Sequence, residues 1–155
     1  MPFPSYAEYE VLIYSLAESY PEQIKSSTLR LYTTSARTAR LEGELEFSNG
    51  LRLSVFEFMD FITDQIRDYS YTVFRGDEKI RWYDPQPHPE NPALASTFPH
   101  HRHEPPDTTV PEAQRSGIKH NRKPAPGISF HAPNLPTLIK DCEELGKSHR
   151  RVAEI

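Results

Sequence analysis

Proline removes a backbone donor and fixes φ, so packed strands and helix interiors tolerate it poorly. Twelve of the 15 prolines in this chain fall between Pro85 and Pro136. The elements that build a core must therefore come from the first 84 residues and from whatever follows Pro136. At 155 residues the chain has the length of one ordinary domain. Its 36% hydrophobic share is low for a globular protein because the second half contributes so little.

Charge divides at the same place. Residues 1–84 carry a net −5 and residues 85–155 a net +1, which makes −4 for the whole. The folded body is expected to be acidic with a neutral-to-basic appendage. Such a chain lacks the overall basic excess of a nucleic-acid coat, so any contact with phosphates has to be local. A single cysteine, Cys142, cannot form an internal disulfide. With no apolar N-terminal leader and no long apolar run, the expectation is a cytoplasmic protein without membrane contact.

Within the first half, Ser5 followed by Glu8 reads as a capping box. Tyr6, Tyr9, Ile13, Leu16 and Tyr20 then recur at helical spacing, which predicts a helix over Tyr6–Ser19. A short β-prone stretch covers Thr28–Tyr32. From Ala39 the pattern alternates, with Leu41, Gly43, Leu45 and Phe47 on one face and Arg40, Glu42, Glu44 and Glu46 on the other. A three-residue loop, Ser48–Asn49–Gly50, pairs Leu45 with Leu53 and Gly43 with Val55, and sets Glu46 against Arg52. At Arg75–Glu78 a two-residue loop led by Gly76 sets Arg75 against Glu78, Val73 against Ile80, Tyr71 against Trp82 and Tyr69 against Asp84. Late in the chain, Asn134 is placed to cap a helix with an apolar stripe of Leu135, Leu138, Ile139, Cys142 and Leu145, and Gly146 is placed to stop it.

The fold class expected from these elements is α+β. An antiparallel β-meander of about five strands carries the N-terminal and C-terminal helices packed on it, with a long His/Pro-rich loop. Residues 1–104 form the body and its histidine-rich loop, 105–127 a flexible Pro-rich insert, 128–147 the C-terminal helix of the same domain, and 148–155 a tail.

Four of the seven histidines, His88, His100, His101 and His103, fall within 16 residues after a strand end. A rigid scaffold often displays functional groups there. A neutral imidazole can take a proton from a ribose hydroxyl while a protonated one gives a proton to a leaving oxygen, so two histidines suffice for metal-free RNA cleavage. Arg102 offers a planar fork for phosphate, and Asp84 can orient an imidazole. Two other readings stay open. In one, the imidazoles, with Asp84 or Glu104, are ligands for a divalent metal, although the spacing matches no established ligand motif. Alternatively, prolines and histidines simply pack a long connection over the sheet. Cys142, on an apolar helical face, reads as core. Tyr69, Tyr71, Trp82 and Tyr83 read as core strand aromatics, any of which could stack a base if it faced outward. Asn49-Gly50 reads as a turn and nothing more.

The string Trp82-Tyr83-Asp84-(x)3-His88-Pro89, followed by Phe98-Pro99-His100-His101-Arg102-His103, resembles the TumE family, the toxin half of a bacterial and archaeal type II toxin–antitoxin pair. The Leu41–Asp60 hairpin, Asp68-Tyr69-Ser70-Tyr71 and the stretch from Pro126-Gly127-Ile128-Ser129-Phe130 to Pro133-Asn134-Leu135 are similar too. Members often show Asp-Asn where this chain has Asp84-Pro85, and a doublet where it has His88-Pro89. The resemblance implies a growth-inhibiting toxin neutralised by a helix-turn-helix antitoxin. Together the two lines lead to the expectation of a toxin that acts on RNA without metal or cofactor. In it His100 and His103 transfer protons, Arg102 binds phosphate, His88 and His101 assist, and Asp84 orients. The alternatives are a non-enzymatic protein that occupies a partner such as the antitoxin or the ribosome, and a metal-dependent nuclease.

Overall fold

Ser5 and Glu8 exchange bonds across the first helical turn, with Ser5 N donating to Glu8 Oε1 at 3.1 Å and Glu8 N to Ser5 Oγ at 3.2 Å. The computed structural model describes residues 3–85, 100–105, 121–125 and 127–153, the side chains of 101, 121–124 and 148–153 excepted. The capped helix, α1, spans Tyr6–Tyr14, and α2 spans Leu16–Ser19. The single helix expected over Tyr6–Ser19 is therefore broken at Ser15. There the hydroxyl turns back to the Val11 carbonyl at 2.6 Å, a local bond that competes with the helical ladder.

Eight antiparallel strands follow among the described residues: β1 Ile24–Ser27, β2 Arg30–Thr33, β3 Thr38–Phe47, β4 Leu51–Asp60, β5 Gln65–Arg75, β6 Glu78–Asp84, β7 His101–Glu104 and β8 Asn121–Pro124. They form one sheet in the order β1-β3-β4-β5-β6-β7-β8, with β2 beside β1 on the same edge of β3. A C-terminal helix, α3, spans Leu135–Ala153. The α+β class stands, but the strand count exceeds the five or so expected. The three added strands, β1, β7 and β8, are short and polar, and pairing with a neighbour rather than side-chain periodicity fixes their backbones. Among them, β8 lies inside the stretch expected to be a flexible insert. His88 lies outside the described residues.

The first hairpin has the expected register, with Leu45 opposite Leu53, Gly43 opposite Val55 and Glu46 opposite Arg52. The second keeps Arg75 opposite Glu78 but does not keep the pairs beyond it. A bulge between Val73 and Phe74 sets Val73 against Arg81, Thr72 against Trp82 and Tyr71 against Tyr83. One extra residue on β6 exchanges the faces of everything after it. Trp82, expected beside Tyr71, stands on the opposite face, and Tyr83 takes the core position.

Leu41, Leu45, Leu53, Tyr71 and Val73 are buried on the inner face, beneath Tyr9 and Ile13 of α1 and Leu135, Leu138, Ile139 and Cys142 of α3. Helix α3 continues through Gly146 rather than stopping there. A Cβ at 146 would overlap the side chain of Asn49, whose amide donates to the Cys142 carbonyl at 3.1 Å. Gly146 thus serves close approach, and Asn49 ties the first hairpin to the helix as well as forming its turn. Asn134 begins α3 with its carbonyl, which accepts from Leu138 N at 3.0 Å, while its side chain is used elsewhere.

Asp60 closes the β4–β5 turn. Its carboxylate accepts from Arg37 at 2.8 and 3.1 Å and from the amides of Ile62 and Thr63 at 2.8 and 3.1 Å. The Arg37 guanidinium holds its pKa down to about 2, against the opposing effect of burial.

Two glycines separate backbone strain from steric overlap. Gly43 has φ +137 and faces the Thr28 carbonyl, so a methyl there strikes backbone, whereas Gly50, at φ +91, has open space around it. Gly43→Ala should lower stability by about 2 kcal/mol or more, and Gly50→Ala by only about 1 kcal/mol, as read from urea unfolding midpoints. Leu45→Ala, at a fully buried position, should cost about 2–5 kcal/mol. Equal losses at Gly43 and Gly50 would show that the β1–β2 crossing does not press on Gly43.

Candidate functional site

Alternation along β6 and β7 sorts the candidate residues onto two faces. The register pairs Trp82 with His103, Tyr83 with Arg102 and Asp84 with His101. Tyr83 and Arg102 therefore look toward α3, while Trp82, Asp84 and His103 look the other way.

On the outer face, His103 Nε2 lies 3.1 Å from Asp84 Oδ2, and the imidazole is stacked on Trp82 with ring centroids 5.4 Å apart and planes 4° from parallel. Lys79 Nζ stands 4.2 Å from the centre of the Trp82 ring. The side chain of His103 is 3% exposed and that of Asp84 is 25% exposed, so the pair reaches solvent through the carboxylate.

The inner face holds a chain of alternating charges. Arg81 Nη1 lies 2.9 Å from both carboxylate oxygens of Asp141 on α3, Arg81 Nη2 bonds Glu104, and Tyr83 donates to Asp141. Arg102 Nε is 3.5 Å from Glu104 Oε1. Buried charges persist only when paired in this way. A cavity of about 250 Å³ opens beside them, lined in part by Tyr83, Arg102, Ile128, Leu138 and Asp141.

His100 lies just before β7 and belongs to neither cluster. Its Nδ1 is 2.8 Å from the Tyr69 hydroxyl, and its ring meets Phe130 edge-on at 4.5 Å. Burial, and secondarily the neighbouring His131, lower its pKa and favour the neutral imidazole. The structure thus brings Asp84 and His103 together and sets the His101 backbone against Asp84. It does not bring His100 or Arg102 to His103. Cys142 is fully buried and burial pushes its thiol pKa up, so it is core rather than nucleophile.

One ionisable group was absent from the candidates drawn from the sequence. Glu57, fully buried on the inner face of β4, accepts from the hydroxyls of Tyr9 on α1 and Tyr71 on β5. The Tyr71 hydroxyl in turn accepts from Asn134 Nδ2 at 3.0 Å, and the Asn134 amide is bonded twice to Ser129. Burial raises the Glu57 pKa to about 7, against the lowering effect of the two tyrosine donors. The signal was visible in the strand itself: Leu51, Leu53, Val55 and Met59 mark the inner face, and Glu57 interrupts them.

This geometry defines a class: a one-sheet α+β domain with helices bound to one face through a buried polar network and an aromatic–histidine–carboxylate group on the other. Residues 13–145 match the family model described as toxin TumE, and the chain belongs to the TumE family. Comparison with curated proteins and with solved structures finds no match. No helix among the described residues is long and apolar enough to cross a membrane.

The buried glutamate makes stability depend on pH. Its folded pKa of about 7 exceeds its ordinary value of 4.5, so the folded chain keeps a proton that the unfolded chain releases. The contribution is complete below about pH 4.5 and is lost as pH rises through about 7. Urea midpoints should fall across that window, and Glu57→Gln, which keeps the shape and removes the charge, should flatten the fall. A wild-type decline that persists in Glu57→Gln would assign the titration to another group.

Proposed function

We propose that this member of a toxin family is the toxin of a type II toxin–antitoxin pair and acts in the cytoplasm on RNA by metal-independent acid–base cleavage. The observation that carries this reading is the Asp84–His103 pair, with 3.1 Å between carboxylate and imidazole beside Trp82. In the proposed reaction the His103 imidazole, oriented by Asp84, takes the proton from a ribose 2′-hydroxyl. The freed oxygen attacks phosphorus, and the P–O bond to the next nucleotide breaks. A second imidazole returns a proton to the leaving 5′-oxygen. We assign that second role to His101, because its backbone is registered against Asp84. His100 and Arg102 lie off this face; His100 buttresses Tyr69 and Arg102 extends the charge chain that holds β7 near α3. His88 is retained as an assisting residue. Membership of a toxin family supports an antitoxin partner, for which we propose a helix-turn-helix protein.

A second reading has its own support. His103 is almost fully covered, which suits a toxin that acts by occupying a partner rather than by turnover.

Purified chain should cut a defined transcript in the presence of chelator, with a bell-shaped pH profile near neutrality, since one imidazole must be neutral and another charged. His103→Ala should lower the cleavage rate by about 10²–10⁴-fold and relieve growth inhibition, while the protein still folds and still binds its antitoxin. Asp84→Asn should reduce the rate less than His103→Ala does. Undiminished toxicity in the triple alanine variant at His100, His101 and His103 would leave the binding protein as the better account, and rescue of chelator-treated protein by a divalent ion would point to the metal enzyme.

A further inference from the structure

We infer that the outer face of β4–β6 is a platform for single-stranded RNA that delivers the strand to the Asp84–His103 pair. The inference rests on the RNA reading above and adds where and how the substrate lies.

The helix contacts described above all fall on the inner face: Tyr9 with Glu57, Asn134 with Tyr71, and Asp141 with Arg81 and Tyr83. The outer face carries half-buried aromatics, and three of them have a cation over the ring. Arg40 stands over Phe56 at 5.0 Å, Arg52 over Phe74 at 4.3 Å and Lys79 over Trp82 at 4.2 Å. A purely structural outer face has no need of this arrangement three times over. A guanidinium laid on an aromatic ring keeps its second flat side for a base.

The register shows how these groups line up. One row across the strands reads Arg52, Phe74, Lys79, and the next reads Ser54, Thr72, Trp82, His103. Phe56 lies one step further along, opposite Ser70. From β4 to β7 is three strand spacings, about 14 Å. A strand stacked at Phe56 and Phe74 therefore needs only a short further run to reach His103.

Electrostatics gives the direction. The outer positions of β3 include Glu42, Glu44 and Glu46, of which Glu42 pairs with Arg40 of the same strand and Glu44 with Arg52, each at 2.7 Å. These carboxylates repel phosphate on the β3 side. They leave β4–β6 and the β7 side as the favourable track, even though the chain as a whole is acidic.

Trp82 is the single tryptophan of the chain, so its emission reports on this face. The test titrates the full chain with an unstructured single-stranded RNA oligonucleotide, reading Trp82 emission and oligonucleotide anisotropy together. Binding should change the emission. Phe56→Leu and Phe74→Leu, which keep apolar bulk but lose the ring, should weaken binding roughly five- to a hundredfold with unfolding midpoints unchanged. Lys79→Ala should reduce the slope of log affinity against log salt by about one. If both leucine variants bind with wild-type affinity while wild type cuts transcript, the platform is overturned and the RNA reading stands. If wild type neither binds nor cuts RNA, both fall. If purified antitoxin, and not RNA, changes Trp82 emission and loses its hold on Phe74→Leu, the face is a protein dock and the inference is overturned.

Discussion

A carboxylic acid sealed in the middle of the molecule holds its layers in register. Glu57 lies on the sheet, accepts from Tyr9 of α1 and from Tyr71 of β5, and through Tyr71 is linked to Asn134 at the start of α3. Such a group is tolerated in an apolar interior only if its oxygens are satisfied, and both partners come from separate elements. Each element is therefore specified by more than apolar contact. A helix sliding by one turn would strand a buried hydroxyl or carboxylate, which is more costly than losing a methylene contact.

That anchoring on one side leaves the other side for other work. The inner face spends its polar groups on binding helices: Arg81 and Tyr83 both hold Asp141, and Asn49 holds the Cys142 carbonyl. The outer face has cations over aromatic rings and the Asp84–His103 pair instead. The separation depends on the β6 bulge. Without the shift between Val73 and Phe74, Trp82 would enter the core and Tyr83 would leave Asp141. A one-residue irregularity thus fixes both the docking of α3 and the composition of the outer face.

The strongly periodic elements were legible in the sequence: the capping box at Ser5 and Glu8, the three-residue turn at Asn49–Gly50 and the apolar stripe of α3. Three features were not. Alternation cannot locate a bulge when both faces offer aromatics, as at Tyr71, Trp82 and Tyr83. The glycine at 146 reads as a helix stop until the neighbouring Asn49 is known, because its reason for being glycine lies 97 residues away in sequence. Strands β7 and β8 have no periodicity of their own, and β6 fixes the face of every residue in β7.

The histidine run shows why a cluster along the chain need not be a cluster in space. His100-His101-Arg102-His103 stands out as four adjacent groups suited to phosphate chemistry, and in a flexible loop all four could converge on one phosphate. Once 101–104 pairs with β6 as a strand, neighbours point to opposite sides. Arg102 then joins Arg81 and Glu104 in the inner charge chain, while His103 meets Asp84 on the other face. The residue that completes the pair, Asp84, is 19 positions earlier in the chain, at the end of the strand against which the histidines are laid. Chemistry on this protein is therefore set by sheet register before it is set by residue type, and a change that shifted β7 by one residue would exchange His103 for Arg102 beside Asp84.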